Sequence, residues 1–346
     1  MLEATPNADE IKKAVFEMNA ESAPGPDSFS GIFYKTCWHI IQEDFVNEIQ
    51  YFWRRKYEPR GLNSNFLILL PKTQNAKKPG QFRPISLRNF SFKVFTKIIS
   101  TRLSGFMGNL VSPQQAAYIK RRSIHEQVMM ASELVNKMKH TRRGVMVNGG
   151  PQGFFSTERG LKHVDPLSPI LFVLMEEILS RGLKILVEKG KLQPMVIRKG
   201  CYPTHLFFAD DVFIFYNGSK RSLEEILTLL KDYQENTGQL INKQKIKCFV
   251  DGCNPLRKDQ ISNMMQMELT TFPDKYLGVI LKPVRVNGAI VCPMVEMMQK
   301  QLSSWKGKLL SFHDRLILIK SDLSSIPVYN MVVHRWPKSV IKVCEK

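Results

Sequence analysis

Cysteine is scarce in this chain, and its spacing excludes the commoner structural uses of the residue. Six are spread over 346 positions, at Cys37, Cys201, Cys248, Cys253, Cys292 and Cys344. None forms Cys-x-x-Cys and no histidine pair stands at zinc-finger spacing, so a structural zinc site is not expected. The six read as reduced thiols of an intracellular protein, nuclear or cytoplasmic. Met1-Leu-Glu-Ala-Thr5 lacks the charged-then-apolar order of a secretory leader. Long uncharged apolar runs are missing too. The most apolar helical stretch, Ile170–Val187, is interrupted by Glu176, Glu177 and Arg181 and is not expected to span a bilayer. No lipidation motif or polybasic amphipathic anchor stands out, which argues against a membrane partner. Internal repeats and low-complexity linkers are absent. Acidic residues are outnumbered, 31 against 50 basic, leaving a charge of +19 and a pI near 9.7. That excess favours a polyanion, with nucleic acid the first choice.

What is present is enough for a packed core. The chain is 43% apolar, and its length suits about two or three units of 100–200 residues. Helices are expected over Ala8–Met18, Phe29–Phe52, Phe92–Met107 and Ile124–Met138, with one-sided apolar stripes in the last two. Asn65–Leu70, a short apolar run ending at Pro71-Lys72, suits a buried strand. Ser168 fits an N-cap with Pro169 in the first helical turn. Ser222-Leu-Glu-Glu225 has a capping-box pattern for a helix that ends at Gly238. Gln239–Val250 looks extended. Strands interspersed with helices point to an α+β layered fold.

The most informative stretch is Phe208-Ala-Asp-Asp211, a tight hairpin between the apolar runs Leu206–Phe208 and Val212–Phe215. Adjacent carboxylates repel, and apolar neighbours make their charge costlier. Divalent cations are the usual reason such a pair is kept, which suggests metal-dependent phosphoryl chemistry. An exposed acidic turn between two strands would read the same way from the tetrapeptide alone.

The blocks that decide the matter are Ala23-Pro-Gly-Pro-Asp27, Leu69-Leu-Pro-Lys72, Phe82-Arg-Pro-Ile-Ser-Leu87, Lys93–Leu103 and Val111-Ser-Pro-Gln-Gln115. Val147-Asn-Gly149, Arg159-Gly-Leu161, Asp165-Pro-Leu-Ser-Pro169, Phe208-Ala-Asp-Asp211, Gly238-Gln-Leu-Ile-Asn242 and Tyr276-Leu-Gly278 follow in order. Together they resemble the reverse transcriptase of non-LTR (LINE-type) retrotransposons, most like those of plant genomes, from about residue 8 to residue 335. Intron maturases share several of these blocks, but Ala23–Asp27 and Tyr276–Gly278 fit the retrotransposon group better.

The resemblance implies a right-hand polymerase fold. Residues 1–110 would be an N-terminal extension and fingers, 111–250 the palm, and 251–346 a primer grip and partial, thumb-like helical region. It implies DNA synthesis from deoxynucleoside triphosphates on a DNA primer and RNA template, with Mg2+ as cofactor and Mn2+ as its substitute. Asp210 and Asp211 would hold the metal, Asp210 more directly. Lys72 and Arg83 would face the triphosphate, which suits the planar fork of arginine. Pro166, Leu167, Ser168 and Phe208 would line the nucleotide and template. Lys245 would act on the leaving phosphate, although a lysine in Lys243-Gln-Lys-Ile-Lys247 also reads as plain surface. Tyr276, Leu277 and Gly278 would form the primer grip, with glycine allowing a tight turn.

One block of that pattern is missing. The family carries a further aspartate on an earlier palm strand, and between Asp44 and Asp165 this chain has no aspartate. Lys137–Gly144 runs almost directly into Val145-Met-Val-Asn-Gly149, which belongs to the next block. The nearest acids, Glu126, Glu133 and Glu158, lie in flanking blocks. An incomplete palm sheet with unpaired backbone is therefore expected, together with impaired catalysis. Lys162-His163-Val164 also replaces the family's Arg-Gln-Gly, and valine tolerates positive φ poorly. His163 has no second ligand at matching spacing. The resemblance covers neither an endonuclease domain nor a cysteine-histidine knuckle, so a fragmentary, decayed polymerase or a non-catalytic nucleic-acid-binding remnant is the expectation.

Overall fold

The structure is a computed structural model, and it describes residues 2–55, 62, 64–138, 144–148, 165–195, 203–239, 241, 246–251, 255–265, 268–282, 287–304, 311–323 and 325–345. The chain divides into two compact units. The first comprises Met1–Lys120, Gln152–Leu179 and Glu235–Gln239; the second comprises Arg121–Pro151, Ser180–Gln234 and Leu240–Lys346.

In the first unit α1 (Ala8–Glu17) starts where Asn7 Oδ1 accepts from the Glu10 amide at 2.8 Å, with Asp9 and Glu10 in the first turn. Both features favour a helix start, since they satisfy and complement its unbonded N–H groups. The sequence stretch expected as one helix over Phe29–Phe52 is two, α2 (Gly31–Thr36) and α3 (Trp38–Arg55), broken at Cys37. β1 (Asn65–Pro71) and β2 (Phe82–Arg88) form an antiparallel ribbon. They are followed by α4 (Phe90–Ser104) and α5 (Met107–Leu110). Ile11, Val15, Trp38, Ile49, Phe90, Val94 and Ile98 form the core of this unit. Arg102 clamps it from outside, with Nε and Nη2 donating to the two Glu10 carboxylate oxygens at 2.7 and 2.6 Å.

The ribbon corrects one expectation. Phe66, Leu67, Ile68, Leu69 and Leu70 are 42–58% exposed, so β1 is not a buried strand. An apolar run predicts the strand but not what covers it. Among the described residues β1 pairs with β2 alone.

The second unit begins with α6 (Ile124–Met138) and β3 (Gly144–Asn148). Next comes α7 (Ser168–Glu188), which contributes residues to both units. β4 (His205–Phe208), β5 (Asp211–Tyr216) and α8 (Lys220–Thr237) follow. The chain continues through β6 (Lys247–Asp251), α9 (Pro255–Met265), β7 (Glu268–Thr270), β8 (Asp274–Tyr276) and β9 (Val279–Leu281). It ends with α10 (Gly288–Ser304), α11 (Phe312–Leu318), α12 (Ser325–Met331) and α13 (Lys338–Cys344). The cap of α8 is Ser219, whose Oγ accepts from the Ser222 amide at 3.2 Å, one turn before the capping box read from sequence. Glu225, expected to close that box, pairs instead with Lys191 at 3.0 Å. The end of α8 is as expected, with Gly238 at φ 69°.

A five-stranded sheet in the order β4-β5-β3-β6-β7 organises this unit. The expectation of an incomplete sheet is corrected here. β3 lies at the centre, antiparallel to both β5 and β6, with Val147 opposite Ile214 on one side and Cys248 on the other. A gap would strand backbone donors and acceptors on β5 and β6, and any extended apolar segment can satisfy them. Val145-Met-Val147 is such a segment. Leu206, Phe213, Phe215 and Phe249 from the sheet pack with Val128, Ala131, Leu134 and Val135 of α6 and with Tyr276, Val279 and Leu281.

Candidate active site and nucleic-acid interface

The acidic hairpin is built by register. Phe208 pairs with Asp211 across a two-residue turn of Ala209 and Asp210. Ala209 takes φ 50° at the first turn position, a left-handed conformation that turns of this length usually give to glycine, at a cost of about 1–3 kcal/mol for another residue. Phe207, Val212 and Phe213 are buried and anchor the strands, while Phe208 is half-buried. Asp210 is left exposed and Asp211 half-buried. Burial pushes the Asp211 carboxyl above its ordinary range, and the adjacent Asp210 adds to the rise. A cation at the turn would reverse both effects.

Two carboxylates, one of them exposed, fit a single divalent cation that takes its other ligands from water or phosphate, as Mg2+ commonly does. They do not fit a clamp on two cations. Among the described residues no group of three or more His, Cys, Asp or Glu can hold a metal. β3, the strand beside β5, contains no carboxylate, and Gly149-Gly-Pro151 follows it in sequence.

The second sequence-predicted element of this unit is the β8–β9 hairpin. Tyr276 pairs with Val279 across Leu277 at φ 48° and Gly278 at φ 85°. Two consecutive positive φ values are what a type I′ turn requires. Tyr276 is buried, edge-on to Phe213 of β5 with ring centroids 4.3 Å apart, so it serves the core and ties this hairpin to the strand that begins with Asp211. Lys247 Nζ donates to Asp274 Oδ1 at 2.7 Å, and Phe272 stacks on Phe249 at 4.4 Å. His334 Nε2 donates to the Ile280 carbonyl at 2.6 Å. Lys245, Glu158 and His163 lie outside the described residues.

The remaining candidates belong to the first unit. Lys72 follows β1, its amide donating to the Gln81 carbonyl at 2.7 Å, and its side chain is exposed. Arg83 is exposed on β2, opposite Leu70. Pro166 and Leu167 are half-exposed between buried Asp165 and Ser168. Ser168 opens α7 as its first residue rather than as the residue before it, and its Oγ donates to Asp165 Oδ2 at 3.0 Å. Sequence reasoning passed over two residues here. Arg88 is buried in an ion pair with Asp165, and Lys247 takes Asp274. Arg88 shares a strand face with Ser86, which is also buried, but no local pattern in the sequence marks that face as covered.

Comparisons with known proteins give this arrangement its context. Residues 137–281 match the family described as reverse transcriptase (RNA-dependent DNA polymerase). The chain is 26% identical over 140 residues to the Transposon TX1 uncharacterized 149 kDa protein of Xenopus laevis, a match covering 40% of this chain and 11% of that protein. It is 43% identical over 67 residues to an uncharacterized mitochondrial protein of Arabidopsis thaliana, 19% of this chain and 55% of the relative. The Pol polyprotein of type-2 retrotransposable element R2DM of Drosophila melanogaster is 24% identical over 282 residues, 68% of this chain and 25% of the polyprotein. The chain therefore spans less than two thirds of each of these relatives. Among the described residues no helix is long and apolar enough to cross a membrane.

Proposed function

Since this chain carries a reverse transcriptase domain of the LINE and R2 retrotransposon kind, we propose that it retains the family's nucleic-acid-binding surface while RNA-directed DNA synthesis is severely impaired. One observation carries this reading. The centre of the five-stranded sheet is closed by β3, a strand without a carboxylate, and no third acid joins Asp210 and Asp211 among the described residues.

In this assignment residues 1–110 are an N-terminal extension and fingers, 111–250 the palm and 251–346 the primer grip and thumb-like region. Asp210, exposed at the turn, is the principal ligand for Mg2+ or Mn2+, and Asp211 supports it. Such a cation, when bound, supplies neutralisation of phosphate charge. Lys72 and Arg83 meet the triphosphate of an incoming deoxynucleotide, Arg83 by paired hydrogen bonds to phosphate oxygens. Pro166, Leu167 and Phe208 contact nucleotide and template, with Ser168 anchoring their turn, Lys245 meets the leaving phosphate, and Leu277 and Gly278 meet the primer end on the hairpin that buried Tyr276 holds. The net charge of +19 draws an RNA–DNA hybrid to the chain.

The test is a pair of assays on the unaltered chain. Binding to an RNA–DNA hybrid is expected, with affinity falling steeply as salt rises. Primer extension on an RNA template with Mg2+ or Mn2+ is expected to give no product. Template-dependent incorporation abolished by Asp210→Ala would overturn the assignment of impaired synthesis. Absence of hybrid binding at low salt would overturn the rest.

A further inference from the structure

We infer that Arg88 is a positioning residue, holding the turn from Asp165 to Ser168 so that Pro166 and Leu167 face the nucleic acid. This rests on the nucleic-acid-binding reading above and names the group on which that contact depends. Arg88 closes β2 and its side chain is 9% exposed; that of Asp165 is 6% exposed, and Nη1 lies 3.5 Å from Oδ1. The guanidinium carbon stands 4.6 Å from the centre of the Phe92 ring. The other Asp165 oxygen accepts from Ser168 Oγ, and the Ser168 amide donates to the Asp165 carbonyl at 3.3 Å. Charges on both sides of the turn's anchor are thus withdrawn from water, while the two residues between the anchors remain half-exposed.

A helix start does not need this. A serine or asparagine cap serves one without burying an ion pair, and burying a pair costs desolvation that its own attraction often fails to repay. What the pair provides is an anchor for the turn: the guanidinium holds Asp165 by charge at 3.5 Å, while Ser168 Oγ fixes the other carboxylate oxygen by a directed hydrogen bond. Arg88 is not itself a second phosphate ligand beside Arg83. Five residues of strand separate them by about 17 Å, and its guanidinium is committed to Asp165 and Phe92. Gly25 seals the arrangement from the other side, packed against the Arg88 and Asn89 backbone, where Asn89 Oδ1 accepts from the Asp27 amide at 3.2 Å.

The experiment is a double-mutant cycle on hybrid affinity, read by fluorescence anisotropy with melting curves alongside. Leu167→Ala in the unaltered chain is expected to weaken binding about three- to tenfold. In a background of Arg88→Gln with Asp165→Asn, which removes both charges together, the same change is expected to have no further effect. Equal losses in the two backgrounds would overturn the inference, as would an unaltered affinity in Leu167→Ala itself. Should the neutral pair fail to fold, Arg88→Gln alone takes its place. It removes the charge that holds Asp165, and a full Leu167 effect there overturns the inference equally. Failure of the unaltered chain to bind the hybrid would be a distinct result, removing the reading on which this inference rests.

Discussion

Alanine at Gly25 is the perturbation that most sharply tests the packing of the first unit. Gly25 sits in Ala23-Pro-Gly-Pro-Asp27, and an added Cβ would overlap the Arg88 carbonyl carbon and the Asn89 nitrogen and stand 2.6 Å from the Arg88 oxygen. All three are backbone atoms, which cannot swing aside as a side-chain tip can. Overpacking costs about 1–3 kcal/mol, and immovable neighbours place this case at the upper end. Alanine also restricts the unfolded chain, which returns about 0.4–1 kcal/mol. The net is a loss of about 2 kcal/mol, equivalent to a fall of about 4–8 °C in melting midpoint for a unit of this size. Gly108→Ala is the control, because nothing lies within 4 Å of its added Cβ. Inside α5 it is expected to gain up to about 1 kcal/mol from helix propensity. Urea and thermal unfolding of both variants measure the difference. A Gly25→Ala chain within about 0.5 kcal/mol of the parent would refute the docking of this loop on the β2–α4 junction.

Three further outcomes are expected. Burial holds His334 below the ordinary histidine pKa of 6.5, against the raising effect of its bond to the Ile280 carbonyl. The unfolded chain then binds that proton more readily, so this residue's contribution to stability is full above 6.5 and is lost as pH falls through and below it. The urea midpoint of the parent should drop between about pH 7.5 and 5.5, and His334→Gln should flatten that dependence. Gly278→Ala should destabilise the β8–β9 hairpin by about 1 kcal/mol in thermal melts, because its φ of 85° is left-handed backbone that alanine adopts only at a cost. Because burial and Asp210 raise the Asp211 carboxyl, Mn2+ binding should strengthen as pH rises, over a range displaced upward from that of an ordinary aspartate. Asp210→Asn should move Asp211 titration, followed by NMR, downward.

Much of this was legible in the sequence because it is local. The α6 boundaries Ile124 and Met138 follow from an apolar stripe at helical spacing, and the acidic hairpin from two apolar runs around a two-residue turn. The end of α8 at Gly238 follows from the φ that glycine alone adopts freely. What was not legible depends on partners far along the chain. Val145-Met-Val147 reads as a strand in isolation, but its place between β5 and β6 is set by which backbone groups are otherwise unpaired. The exposure of Phe66–Leu70 has the same origin, since an apolar strand carries no record of whether a second layer covers it. Arg88 was invisible as a buried charge because its partner is Asp165, well beyond any local pattern.

The number of Mn2+ ions held per chain, counted by electron paramagnetic resonance with an RNA–DNA hybrid and a deoxynucleoside triphosphate present, goes straight to the missing carboxylate. Any ion bound by the triphosphate alone is subtracted with an Asp210→Ala chain. At most one ion is expected to depend on Asp210. Two such ions, both lost in Asp210→Ala, would contradict a site with a single cation.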